Sequence, residues 1–152
     1  MDSKIKIPWW EPQIGREEYK IIKQVLDNNF PNEGEMTSLF EHKICKLLGC
    51  KHAVAVTSGT VAMFLSMKAL GIGRGDEVIV PDMTFIATAN AVDLCGAKPV
   101  LVDVDPNTLN IDSSAFGNAI TKETKAVIPV HVSGRASDME SIMKIADENS
   151  IH

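Results

Sequence analysis

The stretch AVAVTSGTVAMFLSMKAL, residues 53–70, decides how the chain is read. Its apolar start, 53–56, has the character of a buried strand, and an apolar helical run follows Thr57-Ser58-Gly59-Thr60 at once. Small hydroxyl residues and a glycine at the start of a helix make an anion site. The first N–H groups of a helix have no intrahelical partner, and the macrodipole concentrates partial positive charge there. Gly59 allows a ligand close to the backbone, and Ser58 and Thr60 each carry a hydroxyl donor. By itself the stretch is more simply a plain helix start, Ser58 capping and Gly59 turning.

Outward from this stretch the chain divides in two. Upstream, Pro8-Trp9-Trp10-Glu11-Pro12 is an extended, proline-stiffened lead. Tyr19, Ile21, Ile22, Val25 and Leu26 predict a helix over 17–28, which the loop 28–34 ends. Leu39, Phe40, Ile44, Leu47 and Leu48 predict a second over 37–48, stopped by Gly49. Downstream, strand-like runs at 53–56, 77–80, 100–104 and 126–130 alternate with helical segments at 59–70, 85–95, 113–120 and 138–149. Ser137 and Glu140 have the spacing of a capping box for the last helix. Four βα units in series predict a largely parallel sheet with helices on both faces and ligands outside the carboxyl ends of the strands. Ser150-Ile151-His152 reads as the lead into a fifth strand, so the chain is expected to be part of a larger domain.

Composition narrows the function classes. A net charge of −5 argues against a nucleic-acid or anionic-membrane surface, which needs a basic face. No apolar run reaches the roughly 18 residues of a membrane span, and the N-terminus lacks the apolar core of a signal peptide. Three cysteines fit a reducing cytoplasm.

Several local patterns carry less than they promise. Gly71-Ile72-Gly73-Arg74-Gly75 follows a helix and precedes a strand, the reverse of a dinucleotide fingerprint, and reads as a helix end plus turn. His42, Cys45, Cys50 and His52 match no paired zinc-knuckle spacing. Asp103 and Asp105 end a strand, where an acid can meet a ribose, but Asp105-Pro106-Asn107-Thr108 is more simply a proline turn. His131, at a strand's carboxyl end, suits a loop-bonding role as well as a catalytic one. Pro81-Asp82-Met83-Thr84-Phe85 is the stronger signal. It places an aromatic on the same sheet edge as Ser58–Thr60, an arrangement that suits a flat ligand bearing a phosphate, although a lone phenylalanine is more often core.

Taken together, an ordered set of segments resembles the N-terminal half of the DegT/DnrJ/EryC1/StrS family of nucleotide-sugar aminotransferases. The set comprises Ile7-Pro8, Thr57-Ser58-Gly59-Thr60-Val61-Ala62, Gly73-Arg74-Gly75-Asp76-Glu77-Val78-Ile79-Val80-Pro81 and Thr84-Phe85-Ile86-Ala87-Thr88. It continues with Pro99-Val100-Leu101-Val102-Asp103-Val104-Asp105 and Ile128-Pro129-Val130-His131. The resemblance implies an α/β fold, the large domain of a fold-type I transferase: an incomplete αβα sandwich with a mostly parallel sheet. Residues 1–50 would be its N-terminal helical segment and 51–152 its first βα units. It implies pyridoxal 5'-phosphate as cofactor, with Gly59 and Thr60 on the phosphate, Ser58 a weaker contact, and Phe85 stacked on the ring. It also implies a nucleotide-sugar substrate, an amino-acid donor (usually glutamate), a homodimer, and a role in cell-surface polysaccharide, lipopolysaccharide or O-antigen synthesis. Trp10 and the 29–34 loop would lie near the sugar.

The family's cofactor-linking lysine and its pyridine-pairing acid fall downstream of the matched region. Lys122 and Lys125, at a turn before a strand, do not match that lysine, so this chain alone is expected not to transaminate. A dehydratase of the same family and a non-catalytic binding or dimerisation module are the alternative expectations.

Overall fold

The computed structural model describes residues 8, 11–29, 31–32 and 34–152, in two compact units, Met1–Ala55 and Val56–His152. Most of the proline-stiffened lead, including Trp9 and Trp10, lies outside the described residues.

The first unit holds α1, Arg16–Asp27, and α2, Glu35–Leu48. The Gly15 N–H donates to the Glu18 carboxylate at 2.7 Å, so an acid in the first turn satisfies a backbone donor at the α1 start. Gly49 ends α2 in the left-handed region (φ 68°), a conformation that favours glycine. No described residue of either helix is buried, and Tyr19, Ile22 and Leu26 expose the apolar stripe of α1.

The second unit is the α/β body. Its elements are α3 (Gly59–Ala69), β1 (Glu77–Pro81), α4 (Ala87–Leu94), β2 (Lys98–Val102), α5 (Ser113–Asn118), β3 (Thr124–Val127) and α6 (Met139–Glu148). A short 3₁₀ turn, Val132–Gly134, precedes α6. The sheet is parallel throughout with order β2-β1-β3, Ile79 pairing with Val100 on one side and Val127 on the other. β1 is the central strand, and Val78, Ile79 and Val80 are fully buried. Alternate β1 residues serve opposite faces. Val78 and Val80 pack with Met67 of α3 and Ala91 and Val92 of α4. Ile79 packs with Phe116 of α5 and Ile142 and Ala146 of α6. Right-handed crossovers require this split. β1 to β2 and β2 to β3 run in opposite directions across the sheet, so their connecting helices fall on opposite faces.

Several expectations change. Residues 53–56 pair with no strand among the described residues. Val54 is 79% exposed, and the Ala55 N–H donates instead to the Glu41 carboxylate at 2.8 Å. An apolar extended run becomes a strand only where a neighbour supplies ladder partners. β2 starts two residues earlier than its apolar run because the Lys98 N–H already bonds the Asp76 carbonyl at 2.9 Å. β3 likewise starts at Thr124, which puts Lys125 inside the strand. The capping box at Ser137 does not form. Asp138 is the N-cap of α6, accepting from the Ser141 N–H at 3.2 Å, while the Ser137 hydroxyl is buried and donates to the Val130 carbonyl at 3.1 Å. The lead into a further strand pairs beside β3, which is the third strand and not the fourth as expected. The His152 N–H donates to the Lys125 carbonyl (3.0 Å), and the Val127 N–H donates to the His152 carbonyl (2.9 Å), a parallel ladder step on the outer edge of β3.

Candidate cofactor site

Ser58 is extended (φ −163°, ψ 162°), and its hydroxyl oxygen caps α3 by accepting from the Val61 N–H at 3.2 Å. The first helical bond, Ala62 N–H to the Ser58 carbonyl, is 3.0 Å. The N–H groups of Gly59 and Thr60 have no acceptor among the described residues. A Cβ built on Gly59 would meet nothing within 4 Å, and its φ lies outside the left-handed region. Neither crowding nor backbone conformation therefore demands glycine there. What glycine provides is an unobstructed approach to two free donors.

Phe85 stands at the same edge. The C-terminal ends of α3 and α4 lie together: a Cβ on Gly73 would sit 3.7 Å from the Cys95 carbonyl, and the Cys95 thiol donates to the Phe64 carbonyl at 3.6 Å. The helices run side by side in one direction, which puts both N-termini at the carboxyl end of β1. Phe85 lies in the loop before α4 rather than in the helix, with its carbonyl accepting from the Thr88 N–H at 3.0 Å. It is 78% exposed, so the core reading of this residue does not hold. The loop is nonetheless pinned. The Thr84 and buried Thr88 hydroxyls share a 2.8 Å hydrogen bond, and the Asp82 N–H donates to the Val102 carbonyl at 2.9 Å. The Thr84–Thr88 pair was not singled out from sequence, where two threonines four apart were the available signal.

The loop after β3 is fastened by a residue the sequence did not mark. Asn110 is 3% exposed. Its amide oxygen accepts from the Val132 N–H (3.0 Å), and its amide nitrogen donates to the carbonyls of Arg135 (3.1 Å) and Ala136 (3.0 Å). Arg135 in turn donates to the carbonyls of Asn107 and Thr108. His131 has the loop-bonding role: its Nδ1 accepts from the Ser137 N–H at 3.0 Å. Asp105 is the turn acid expected. Its carboxylate accepts from the N–H groups of Thr108 (2.9 Å) and Asn107 (2.7 Å), which hold it below the usual aspartate range. Gly71-Ile72-Gly73-Arg74-Gly75 closes α3 through Gly71 N–H to Lys68 and Ile72 N–H to Met67, with Gly71 at φ 78°. Among the described residues no three His, Cys, Asp or Glu side chains converge to hold a metal, His42 and Cys45 included.

The sequence model of the DegT/DnrJ/EryC1/StrS aminotransferases matches residues 12–152. The chain belongs to that family. It is 43% identical over 145 residues to the spore coat polysaccharide biosynthesis protein SpsC of Bacillus subtilis (strain 168), covering 95% of this chain and 37% of SpsC. DesV of S. venezuelae, solved in complex with a ketimine intermediate, is 38% identical with a TM-score of 0.86, over 90% of this chain and 37% of DesV. The PLP form of Spr1654 from Streptococcus pneumoniae, a sugar aminotransferase by its description, is 30% identical with a TM-score of 0.88, over 95% of this chain and 37% of its own. The chain thus spans little more than a third of the length of these relatives. Its fold is part of the fold-type I transferase large domain, an αβα layering with three parallel strands among the described residues. In this aminotransferase fold Ser58, Gly59, Thr60 and Phe85 share the carboxyl edge of the sheet. Lys122 and Lys125 stand at the amino end of β3, the opposite edge. Of the segments expected near the sugar, Trp10 and two residues of the 29–34 loop (Phe30, Glu33) lie outside the described residues.

Proposed function

We propose that this chain supplies the phosphate cradle and the ring-stacking surface of a pyridoxal 5'-phosphate aminotransferase acting on a keto-sugar nucleotide. The observation that carries the reading is the pair of free N–H groups at Gly59 and Thr60, open to solvent, on the same sheet edge as the exposed Phe85. Both donors and the α3 dipole favour a phosphate dianion, and the Thr60 hydroxyl adds a third donor. Ser58 holds the cradle in shape through its cap and retains its own O–H for donation. Phe85 offers a free aromatic face to a flat ring. When bound, the cofactor supplies the electron sink that lets an amino group pass from a donor to a keto sugar.

The relation to SpsC supports a cell-surface polysaccharide setting. Glutamate as donor and a homodimer as the working form complete the proposed reading. The free thiols of Cys45, Cys50 and Cys95 suit the reducing cytoplasm. Residues 1–50 form the helical N-terminal segment and 51–152 the first βα units of the cofactor-binding domain. Lys122 and Lys125, facing the wrong edge, leave this chain alone without a cofactor-linking amine at the cradle.

The test is equilibrium binding of pyridoxamine phosphate, which needs no lysine. A Cβ at Gly59 meets nothing within 4 Å, so Gly59→Val is expected to keep the fold while it blocks the approach. Thr60→Ala removes one charge-assisted bond. Each is expected to weaken binding about tenfold or more, the equivalent of roughly 1.5–3 kcal/mol. Unchanged affinity in both variants overturns the cradle.

A further inference from the structure

The end of α2 brings two cysteines to one helix cap. Gly49 turns the chain left-handed, and the Cys50 N–H then donates to the Cys45 carbonyl at 3.2 Å. In this wrap the side chains flanking the turn, here Cys45 and Cys50, are the pair that meets. The Cys50 thiol donates to the His52 carbonyl at 3.4 Å. The backbone bond draws the two cysteines together across the turn, as a disulfide requires. Cys50 is exposed, Cys45 half-buried. A shallow pocket over them is lined by His42, Cys45, Lys46, Gly49, Cys50 and Lys51.

We propose that Cys45 and Cys50 form a dithiol–disulfide site that exchanges with low-molecular-weight disulfides bearing carboxylates, which Lys46 and Lys51 would attract. The exposed Cys50 thiolate attacks one sulfur of the incoming disulfide, whose S–S bond breaks to release one thiolate. Cys45 gives its proton to solvent and attacks the Cys50 sulfur, which breaks the mixed disulfide and releases the second thiolate. The protein loses two electrons and two protons, and the small disulfide becomes two thiols. Cys50 is the exposed thiol and therefore the attacking group, and the half-buried Cys45, whose thiol is pushed up by burial and then by its Cys50 neighbour, is the resolving one. Cys95 provides an internal contrast. It is buried, is raised by burial, and bonds a backbone carbonyl.

The natural protein is equilibrated with glutathione and glutathione disulfide at fixed ratio, folded and in guanidinium, then acid-quenched and digested with trypsin. Cleavage at Lys46 separates the two cysteines, so the disulfide appears as peptides 44–46 and 47–51 joined, lighter by the two thiol hydrogens. The exchange constant is expected to be about tenfold higher in the folded protein than in the unfolded one, because the helix cap holds the thiols together. Cys45→Ser is expected to trap glutathione on Cys50. Equal linkage in folded and unfolded protein, or a Cys45→Ser protein that takes up no adduct at Cys50, overturns the site.

Discussion

A phenylalanine that leaves 78% of its surface in water contributes little to folding, so Phe85 separates binding from packing cleanly. Phe85→Ala is expected to change unfolding free energy by no more than about 0.5 kcal/mol. Its affinity for pyridoxamine phosphate should fall roughly 2- to 12-fold, the range that an aromatic stacking contact of about 0.5–1.5 kcal/mol represents. Paired denaturation and binding curves check both halves, and a stability loss without an affinity loss assigns Phe85 to packing instead. The residue chemistry of α3 was legible from sequence because capping is local: Ser58 and Val61 are three residues apart. Asn110 was not legible. Its partners lie 22, 25 and 26 residues away, and nothing in the neighbouring sequence marks an asparagine that will be buried and fully bonded.

At the scale of elements, the amino end of the sheet is tied by one carboxylate. Glu77 opens β1, accepts from Lys98 Nζ at 2.8 Å at the start of β2, and accepts from the Thr121 hydroxyl at 2.7 Å ahead of β3. The Lys98 ammonium first, and Thr121 second, hold its carboxyl below the usual glutamate range. Lys98 is raised reciprocally by Glu77. A carboxylate lowered in the folded state contributes stability above its unfolded pKa and loses it as pH falls through the folded value. Urea midpoints should therefore decline on acidification below the ordinary glutamate range, and Glu77→Gln should flatten that decline. An identical acid profile in the variant would show that Glu18, Asp105 and Asp138, also lowered by hydrogen bonds, carry the acid sensitivity instead. The βα alternation was legible from apolar runs, but strand starts were not. The first pairs of β2 and β3 use Lys98 and Thr124, residues with no apolar signature.

For the molecule as a whole, Phe116 is the largest fully buried side chain among the described residues and closes the face where α5 and α6 meet β1. Phe116→Ala should lower unfolding free energy by about 3–5 kcal/mol, seen as a shifted denaturation midpoint at unchanged slope. A change under about 1 kcal/mol would mean that this face is not packed as described. Order and type of elements follow from interactions a few residues long, namely helical periodicity, caps and turn glycines, so the sequence alone determined a parallel α/β body with an anion-ready helix start. Sheet order needed the tertiary structure, since ladder partners lie about twenty to fifty residues apart and any apolar run can pair with any other. That is why β1 emerged as the centre, why 53–56 stays unpaired among the described residues, and why Phe85 sits in water and not in the core.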